Sequence, residues 1–302
     1  MNIVVTGGAG FIGSHITNKL VSKGHTVTVV DNLRRGTLEN LKKIRDEIDF
    51  QEIDILDYDK LKTVMKNADG VFHQAALGSV EESWKHPEEY HCVNVVGTEN
   101  IFKLAKQFGF KVLFSSSASI YGHPKKIPIK ENFERKPTNP YGTSKLKAEQ
   151  AAERFSKQGV KIICLRYFNV YGIGQNKNYA GVILKFIENL VQHKPPLIHG
   201  DGSQVRNFIF LDDVVEANML AFESSVDDGF INIASSDSIS ITELAKMMIR
   251  LSGLDLKSVY DDPIQGDIEI SHADINLARE LLGWTPKTSL EEGLRKILPK
   301  IN

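Results

Sequence analysis

Tyr141 and Lys145, four residues apart, form the pair in this sequence best suited to proton transfer. Asn139 and Pro140 precede them, and these residues favour the cap and first turn of a helix, so the pair is expected on one helical face. A free tyrosine has a pKa of about 10 and is a poor base at neutral pH. A neighbouring ammonium and the helix N-terminus both favour the phenolate, so the spacing predicts an activated tyrosine base. The same spacing is also common on ordinary surface helices.

A glycine-rich turn near the N-terminus predicts a nucleotide site. Gly7, Gly10 and Gly13 join a β-branched run to an amphipathic stretch, with Phe11 and Ile12 before the third glycine. Glycines allow a diphosphate to approach the backbone closely, and the helix that follows offers N–H groups and a positive dipole end. The spacing is G-x-x-G-x-x-G rather than the commoner G-x-G-x-x-G, so the prediction depends on the strand before the turn and the helix after it.

Asp31 ends the next predicted strand, where a carboxylate binds the ribose hydroxyls of a dinucleotide. A carboxylate at this place would repel the 2′-phosphate of NADP, which favours NAD. Arg34 and Arg35 follow closely and could attract that phosphate, so the alternative stays open. Asp54 is a candidate to accept a hydrogen bond from the adenine amine. The alternative is that it is a solvated loop carboxylate.

Short β-branched runs alternate with longer amphipathic stretches along the first half of the chain. Strands are predicted at 2–6, 26–30, 50–53, 70–73, 111–115 and 161–166, and helices at 12–22, 38–45, 57–66, 88–108, 141–155, 241–252 and 290–298. This order predicts an α/β fold, a Rossmann-type doubly wound parallel sheet with a smaller, mainly C-terminal α/β substrate lobe. The expected division is a dinucleotide-binding domain over 1–168, with 205–234 returning to it, and a substrate domain over 169–204 and 235–302. Residues 123–140 read as a long ordered loop.

Composition limits the partners. The 302 residues are 41% apolar and 25% charged with a net charge of −1, which argues against disorder and against nucleic acid as a partner. No apolar run approaches membrane-spanning length and residues 1–6 do not resemble a secretory signal, so a cytoplasmic protein with no membrane partner is expected. The histidines show no metal-binding spacing, so no metal is expected. Cys92 and Cys164 are expected to be buried free thiols.

The glycine loop, Asp31 and the Tyr141/Lys145 pair together resemble the extended short-chain dehydrogenase/reductase family of NAD-dependent epimerases and dehydratases. Other segments follow in family order, namely His-Gln-Ala-Ala at 73–76, Asn94, the serine strand at 115–122, the run at 166–172, and the run at 200–208. The resemblance covers nearly the whole chain and is strongest to the UDP-hexose 4-epimerases.

The resemblance implies site residues. The implied catalytic residues are Ser117, Tyr141 and Lys145. The residues implied to hold NAD are Gly7, Gly10, Phe11, Ile12, Gly13, Asp31, Asn32, Asp54, Ile55, Gln74, Ala75, Ala76, Asn94, Ser115, Tyr141, Lys145 and Tyr167. The residues implied to hold a UDP-sugar are Ser79, Ser117, Asn169, Val182, Arg206 and Ser271. His73 is expected to be a packed histidine and Arg166 a structural ion-pair residue.

The implied reaction is NAD-dependent epimerisation at C4 of a UDP-hexose through a 4-keto intermediate, in a homodimer joined by helices 88–108 and 141–155. By the resemblance, Ser271 stands where 4-epimerases differ in side chain and a tyrosine narrows the pocket, so the small residue implies room for an N-acetyl group. Ala118 and Ser119 stand where the family's dehydratases carry an acidic pair, which weakens that alternative. Uronate epimerisation, decarboxylation and net oxidoreduction with cofactor release stay open. Ile264 stands where the family often carries an arginine that binds diphosphate, and Glu269 stands where many relatives carry a second arginine. Diphosphate binding would therefore depend on Arg206.

Overall fold

The computed structural model describes residues 1–175, 181–263 and 268–299. Its strands are β1 (Asn2–Thr6), β2 (Thr26–Asp31), β3 (Ile48–Glu52), β4 (Gly70–His73), β5 (Lys111–Ser117), β6 (Ile162–Tyr167), β7 (Asn169–Tyr171), β8 (Leu197–His199), β9 (Val205–Arg206), β10 (Phe208–Phe210), β11 (Gly229–Ile233), β12 (Ile239–Ser240) and β13 (Val259–Asp261). Its α-helices are α1 (Phe11–Ser22), α2 (Tyr58–Met65), α3 (Val80–Lys85), α4 (Pro87–His91), α5 (Thr98–Phe108), α6 (Pro140–Ser156), α7 (Val182–Val191), α8 (Leu211–Glu223), α9 (Ile241–Ser252), α10 (Asn276–Leu282) and α11 (Leu290–Ile297). Short 3-10 helices cover Leu38–Glu47 and Ala118–Tyr121, and a π-helix covers Cys92–Gly97.

A seven-stranded parallel sheet with the order β11-β6-β5-β4-β1-β2-β3 forms the centre of the molecule. Its inner strands are buried on both faces, which explains their largely apolar sequences, whereas the edge strand β3 is partly exposed. In β1, for example, Ile3 and Val5 pack into one hydrophobic core and Val4 into the other. The predicted doubly wound fold is confirmed, and the strand order reverses between β1 and β4, which is the place where such sheets bind ligands.

Helices cover both faces of this sheet. Residues of α1, α8 and α10 pack into the first core, whereas α2, α5 and α6 contribute to the second. A third core lies outside the sheet and is built from α7, α9 and α11 with β7, β8 and β10. Among the described residues, no helix is both long and apolar enough to cross a membrane.

Three predictions from the sequence need correction. The helix expected at 88–108 is divided by the π-helix into α4 and α5. The third strand begins at Ile48, because its ladder with β2 pairs Val27 with Ile48. The thiols are free, as expected, but only Cys164 is buried, since it lies in the central strand β6, whereas Cys92 is exposed at the start of the π-helix.

The predicted long loop at 123–140 is tied to the C-terminal part of the chain. The Ile129 amide donates to the His272 carbonyl at 2.7 Å, and the Asp274 amide donates to the Ile129 carbonyl at 2.9 Å. Ile129 is buried in the first core. These contacts place the 270–274 segment against the loop that precedes the helix with Tyr141.

Candidate active site

The glycine loop between β1 and α1 is packed too tightly for side chains. Gly7 has a φ of 68°, and a Cβ there would lie 2.6 Å from the Ala75 amide nitrogen. A Cβ on Gly13 would lie 2.1 Å from the Gly7 carbonyl oxygen. Gly10 caps α1 without a side-chain hydrogen bond, and the first turn of the helix carries no acidic residue. The N-terminus of α1 therefore suits a diphosphate, through its N–H groups and dipole.

Asp31 ends β2 beside this loop. Its two carboxylate oxygens accept hydrogen bonds from the Ala9 amide at 3.0 Å and the Leu33 amide at 2.8 Å. Burial raises the pKa of Asp31, and these two bonds offset part of the rise. Asp54 is fixed as well, because it accepts from the Asn32 amide group at 2.8 Å. The two carboxylates predicted to bind the ribose and the adenine are thus held in place.

The two arginines after Asp31 are engaged by acidic residues of neighbouring helices. Arg34 pairs with Glu89 of α4, and Arg35 pairs with Glu82 of α3. The Arg34 side chain holds the pKa of Glu89 below its usual value. Both arginines line the same cleft as Asp31, and their charge is met there by carboxylates from two other helices.

The predicted cap of α6 is present, since the Asn139 side chain accepts from the Gly142 amide at 2.8 Å. One turn further on, Lys145 is buried and its ammonium donates to the Ser115 carbonyl at 2.7 Å. Burial lowers the pKa of Lys145 to about 7, although Glu149 acts to raise it. Lys145 therefore anchors α6 to the end of β5.

The prediction that Lys145 lowers the pKa of Tyr141 was wrong. Burial raises the pKa of Tyr141, and the groups that offset this rise are the side chains of Ser117 and Ser119 through hydrogen bonds. The Lys145 ammonium donates to the Ser115 backbone carbonyl, and the sequence gives no sign of that contact. Ser119 was not among the predicted site residues. Only its place in the serine strand motif hinted at a role.

A cleft of about 380 Å³ joins these groups. The predicted residues that line it are Gly7, Gly10, Phe11, Ile12, Gly13, Asp31, Asn32, Asp54, Ile55, Gln74, Ala75, Ala76, Ser115, Ser117, Tyr141, Lys145 and Tyr167. The lining residues absent from the predicted set are Val30, Arg34, Arg35, Gly36, Ile53, Leu77, Gly78, Val93, Ser116, Phe168, Val170 and Gln175. Most of these neighbour a predicted residue in sequence, and that adjacency was the available signal. The dimensions and lining suit an extended dinucleotide.

Two predicted residues form structural contacts, and their contacts with cofactor or substrate stay predictions. Asn94 is buried and does not line the cleft; its amide group bonds both backbone groups of Leu77 at 2.8 and 2.9 Å and the Ser144 hydroxyl at 2.9 Å. It therefore fixes the loop at Leu77, which does line the cleft. Ser79 caps α3 by accepting from the Glu82 amide at 3.2 Å.

The predicted substrate residues of the second half lie outside this cleft, and three of them gather around β9. The Asn169 side chain donates to the Asn207 carbonyl, the Ser271 amide donates to the Val205 carbonyl, and Arg206 lies in β9 itself. Val182 begins α7. Their contacts with a substrate stay predictions. Glu269 accepts from the Val205 amide at 2.8 Å through its carbonyl, and Ile264 lies outside the described residues.

Two structural assignments are confirmed. His73 is fully buried between the hydroxyl groups of Thr6 and Thr98. Arg166 forms a buried ion pair with Glu149 through two contacts at 2.9 and 2.8 Å. Within the described ranges, no group of three or more histidine, cysteine or acidic side chains is arranged to hold a metal ion.

Comparison with known proteins assigns the family. Residues 3–234 match the model of the NAD dependent epimerase/dehydratase family. A UDP-glucose 4-epimerase from Thermotoga maritima, solved with UDP-glucose, is 38% identical with a TM-score of 0.94 and covers 99% of this chain and 97% of its own. A UDP-N-acetylglucosamine 4-epimerase from Methanobrevibacter ruminantium, in complex with UDP-N-acetylmuramic acid, is 38% identical with a TM-score of 0.93 over 98% and 96%. A UDP-N-acetyl-alpha-D-glucosaminuronate decarboxylase from Bacillus cytotoxicus is 33% identical over 98% of this chain and 96% of its own. The chain therefore belongs to the NAD-dependent epimerase/dehydratase family, and it is an NAD-dependent enzyme.

Proposed function

We propose that the protein epimerises a UDP-hexose at C4 through a 4-keto intermediate. The observation that carries this proposal is that Ser117, Tyr141 and Lys145 line the same cleft as the glycine loop and Asp31. The proposal includes the division into a dinucleotide-binding domain over 1–168 with 205–234, and a substrate domain over 169–204 and 235–302.

Tyr141 is the proposed base that takes the proton of the sugar 4-hydroxyl. Ser117 is proposed to donate a hydrogen bond to the same oxygen and to stabilise the charge that develops there. The glycine loop and Asp31 would hold NAD, which would supply the hydride acceptor for C4 and the hydride donor for the other face of the ketone. Lys145 is proposed to contact the nicotinamide ribose from its position against Ser115.

The described cationic side chains of the cleft are already in contact with other groups. Among its described residues, the cationic side chains are Arg34, Arg35 and Lys145. The arginines lie at the adenosine end beside Asp31, and Lys145 donates to the Ser115 carbonyl. The decarboxylase relative keeps decarboxylation as the second candidate, although Ala118 and Ser119 provide no carboxylate next to Ser117.

Two finer points belong to the proposal. The sugar pocket is proposed to accept N-acetylhexosamines beside plain hexoses, because Ser271 is small, and one relative acts on UDP-N-acetylglucosamine. A homodimer is proposed through the helices within 88–108 and 141–155. Light scattering at micromolar concentration should give twice the mass of the chain, and the mass of a monomer would contradict the dimer.

The deciding experiment incubates the purified protein with UDP-glucose, UDP-galactose, UDP-N-acetylglucosamine and UDP-glucuronate, and separates the products. We expect interconversion of C4 epimers with retained cofactor and no net redox change. Release of carbon dioxide from UDP-glucuronate without epimerisation of the neutral sugars would support the decarboxylase. Stoichiometric release of NADH would support a net oxidoreductase.

A further inference from the structure

Ser119 is the third hydroxyl group at the reacting end of the site. It is the second residue of the 3-10 helix Ala118–Tyr121, which directly follows β5. Its amide donates to the Ser117 hydroxyl oxygen at 3.2 Å, and the two hydroxyl oxygens lie 2.7 Å apart. Hydrogen bonds from both serine side chains lower the pKa of Tyr141 against the effect of burial. Ser119 does not line the cleft, so its effect on a substrate must pass through its two neighbours.

Close packing holds Ser119 at this place. The Ser119 carbonyl faces Gly142 in the first turn of α6, where a Cβ would lie 2.6 Å from the carbonyl oxygen. Gly142 is the residue whose amide is capped by Asn139. The 3-10 helix and the first turn of α6 are therefore fixed against each other, and this contact holds the Ser119 backbone next to the residue that follows Tyr141.

Counting protons assigns the direction of these hydrogen bonds. A serine hydroxyl has one proton to donate and two lone pairs to accept. If Ser117 donates its single proton to the sugar oxygen, as the proposed function requires, it has none left for Ser119. In the 2.7 Å contact Ser119 must then donate to Ser117. When Tyr141 is a phenolate, the same Ser119 proton has a charged and stronger acceptor.

We propose that Ser119 is a positioning residue whose hydroxyl proton alternates between the Ser117 oxygen and the Tyr141 oxygen. When the Ser119 hydroxyl donates its hydrogen bond to the Tyr141 phenolate, it stabilises the base before proton transfer. Once Tyr141 has gained the substrate proton, the Ser119 hydroxyl donates its hydrogen bond to the Ser117 oxygen instead. This bond orients Ser117 to donate to the carbonyl oxygen of the ketone. Ser119 rotates and transfers no proton, so the balance of the reaction is unchanged. This inference rests on the proposed function.

The test compares Ser119→Ala, which removes the hydroxyl, with Ser119→Thr, which keeps it. We expect Ser119→Ala to lower kcat by about tenfold to a hundredfold with little change in KM, because a hydrogen bond to a charged group is lost. Ser119→Thr should restore most of this loss. Ser252→Ala, which removes a hydroxyl that bonds the Ile249 carbonyl in α9, serves as a matched control.

A second readout uses the ionisation of Tyr141 and needs no substrate. Ultraviolet titration of tyrosinate, with the Tyr141→Phe protein subtracted, should show a higher pKa for Tyr141 in Ser119→Ala than in the parent or in Ser119→Thr. Two other titratable groups flank Tyr141, namely Tyr90, whose ring is edge-on at 6.4 Å, and Lys145 one turn further along α6. Both are the same in all of these variants.

The outcomes separate this inference from the proposed function. A kcat of Ser119→Ala within twofold of the parent, or an unchanged Tyr141 titration, overturns the role of Ser119. An equal loss of activity in Ser119→Ala and Ser119→Thr also overturns it, because the hydroxyl would then not be the active feature. If the parent epimerises none of the UDP-sugars while the titration shifts as expected, the proposed function fails and the hydrogen bond to Tyr141 stands.

Discussion

The Nε2 atom of His73 lies 2.9 Å from the Thr98 hydroxyl oxygen, and this contact fixes the tautomer of the imidazole. The Thr98 hydroxyl donates to the Asn94 carbonyl at 2.7 Å, so it must accept from His73 Nε2–H. Nδ1 is then the acceptor for the Thr6 hydroxyl at 2.6 Å. His73 is therefore a neutral connector between β1, β4 and α5. Burial, with a smaller effect of Lys145, lowers its pKa to about 3.

This arrangement predicts that His73 makes the protein less stable in mild acid. The pKa falls from 6.5 in the unfolded chain to about 3 in the folded protein, so the unfolded state binds one more proton between these values. His73→Gln lacks this titration. Its stability deficit relative to the parent should shrink by about 2 kcal/mol between about pH 7.5 and pH 5, measured by urea unfolding.

His123→Gln, at an exposed histidine, controls for the loss of an imidazole as such. Parallel loss of stability by the parent and by His73→Gln over the same interval would show that His73 is not buried as a neutral group.

Tyr141→Phe is expected to retain the fold and bound NAD while kcat falls by roughly 10²–10⁴-fold, the usual contribution of a general base. The aromatic ring keeps its edge-on contact with Tyr90, and only the hydroxyl is lost. Activity on the UDP-sugar substrate and absorbance of the bound cofactor provide the two measurements. Turnover within tenfold of the parent would exclude Tyr141 as the base.

Local sequence signals predicted the parts of the site that lie close to one another along the chain. The glycine loop, the cap at Asn139 and the strand that ends at Asp31 each depend on a few neighbouring residues. The ion pair of Arg35 with Glu82 and the pKa of Tyr141 depend on tertiary packing instead. No spacing rule connects such residues. The sequence therefore left the partners of Arg34 and Arg35 undetermined, and it predicted a lowered rather than a raised pKa for Tyr141.

The parent protein should bind NAD more tightly than NADP. Asp31 repels a 2′-phosphate, and the nearby Arg34 and Arg35 are engaged by Glu89 and Glu82. Replacing both glutamates with glutamine removes two negative charges beside these arginines. The double variant should improve NADP binding relative to NAD by roughly tenfold, since partly exposed ion pairs are worth about 1 kcal/mol or less each.

Calorimetric titration of nucleotide-free protein with each cofactor measures the ratio, and added salt should reduce the difference. Glu81→Gln is the matched control, because Glu81 lies on α3 beside Glu82 but pairs with Lys85. Equal or tighter binding of NADP by the parent would show that the arginines outweigh Asp31.

The backbone around Ser271 is held from both sides, which makes this position a sharp test of substrate size. The Ser271 amide donates to the Val205 carbonyl at 2.9 Å, while the next residue, His272, accepts from Ile129 at 2.7 Å. Ser271 itself is buried at 8% exposure. Because this segment is held, it cannot move at low energetic cost to make room for a larger side chain. The added volume must therefore occupy neighbouring space.

Ser271→Tyr should therefore abolish turnover of UDP-N-acetylglucosamine and spare that of UDP-glucose, because steric exclusion acts on the bulky 2-substituent. Ser271→Ala removes the same hydroxyl without adding volume and should leave both activities within a few fold of the parent. The ratio of kcat/KM for the two sugars in the three proteins is the measurement. If the parent turns over UDP-glucose but not UDP-N-acetylglucosamine, the small side chain does not open the pocket. If Ser271→Tyr loses both activities equally, the position supports the lobe rather than selecting the sugar.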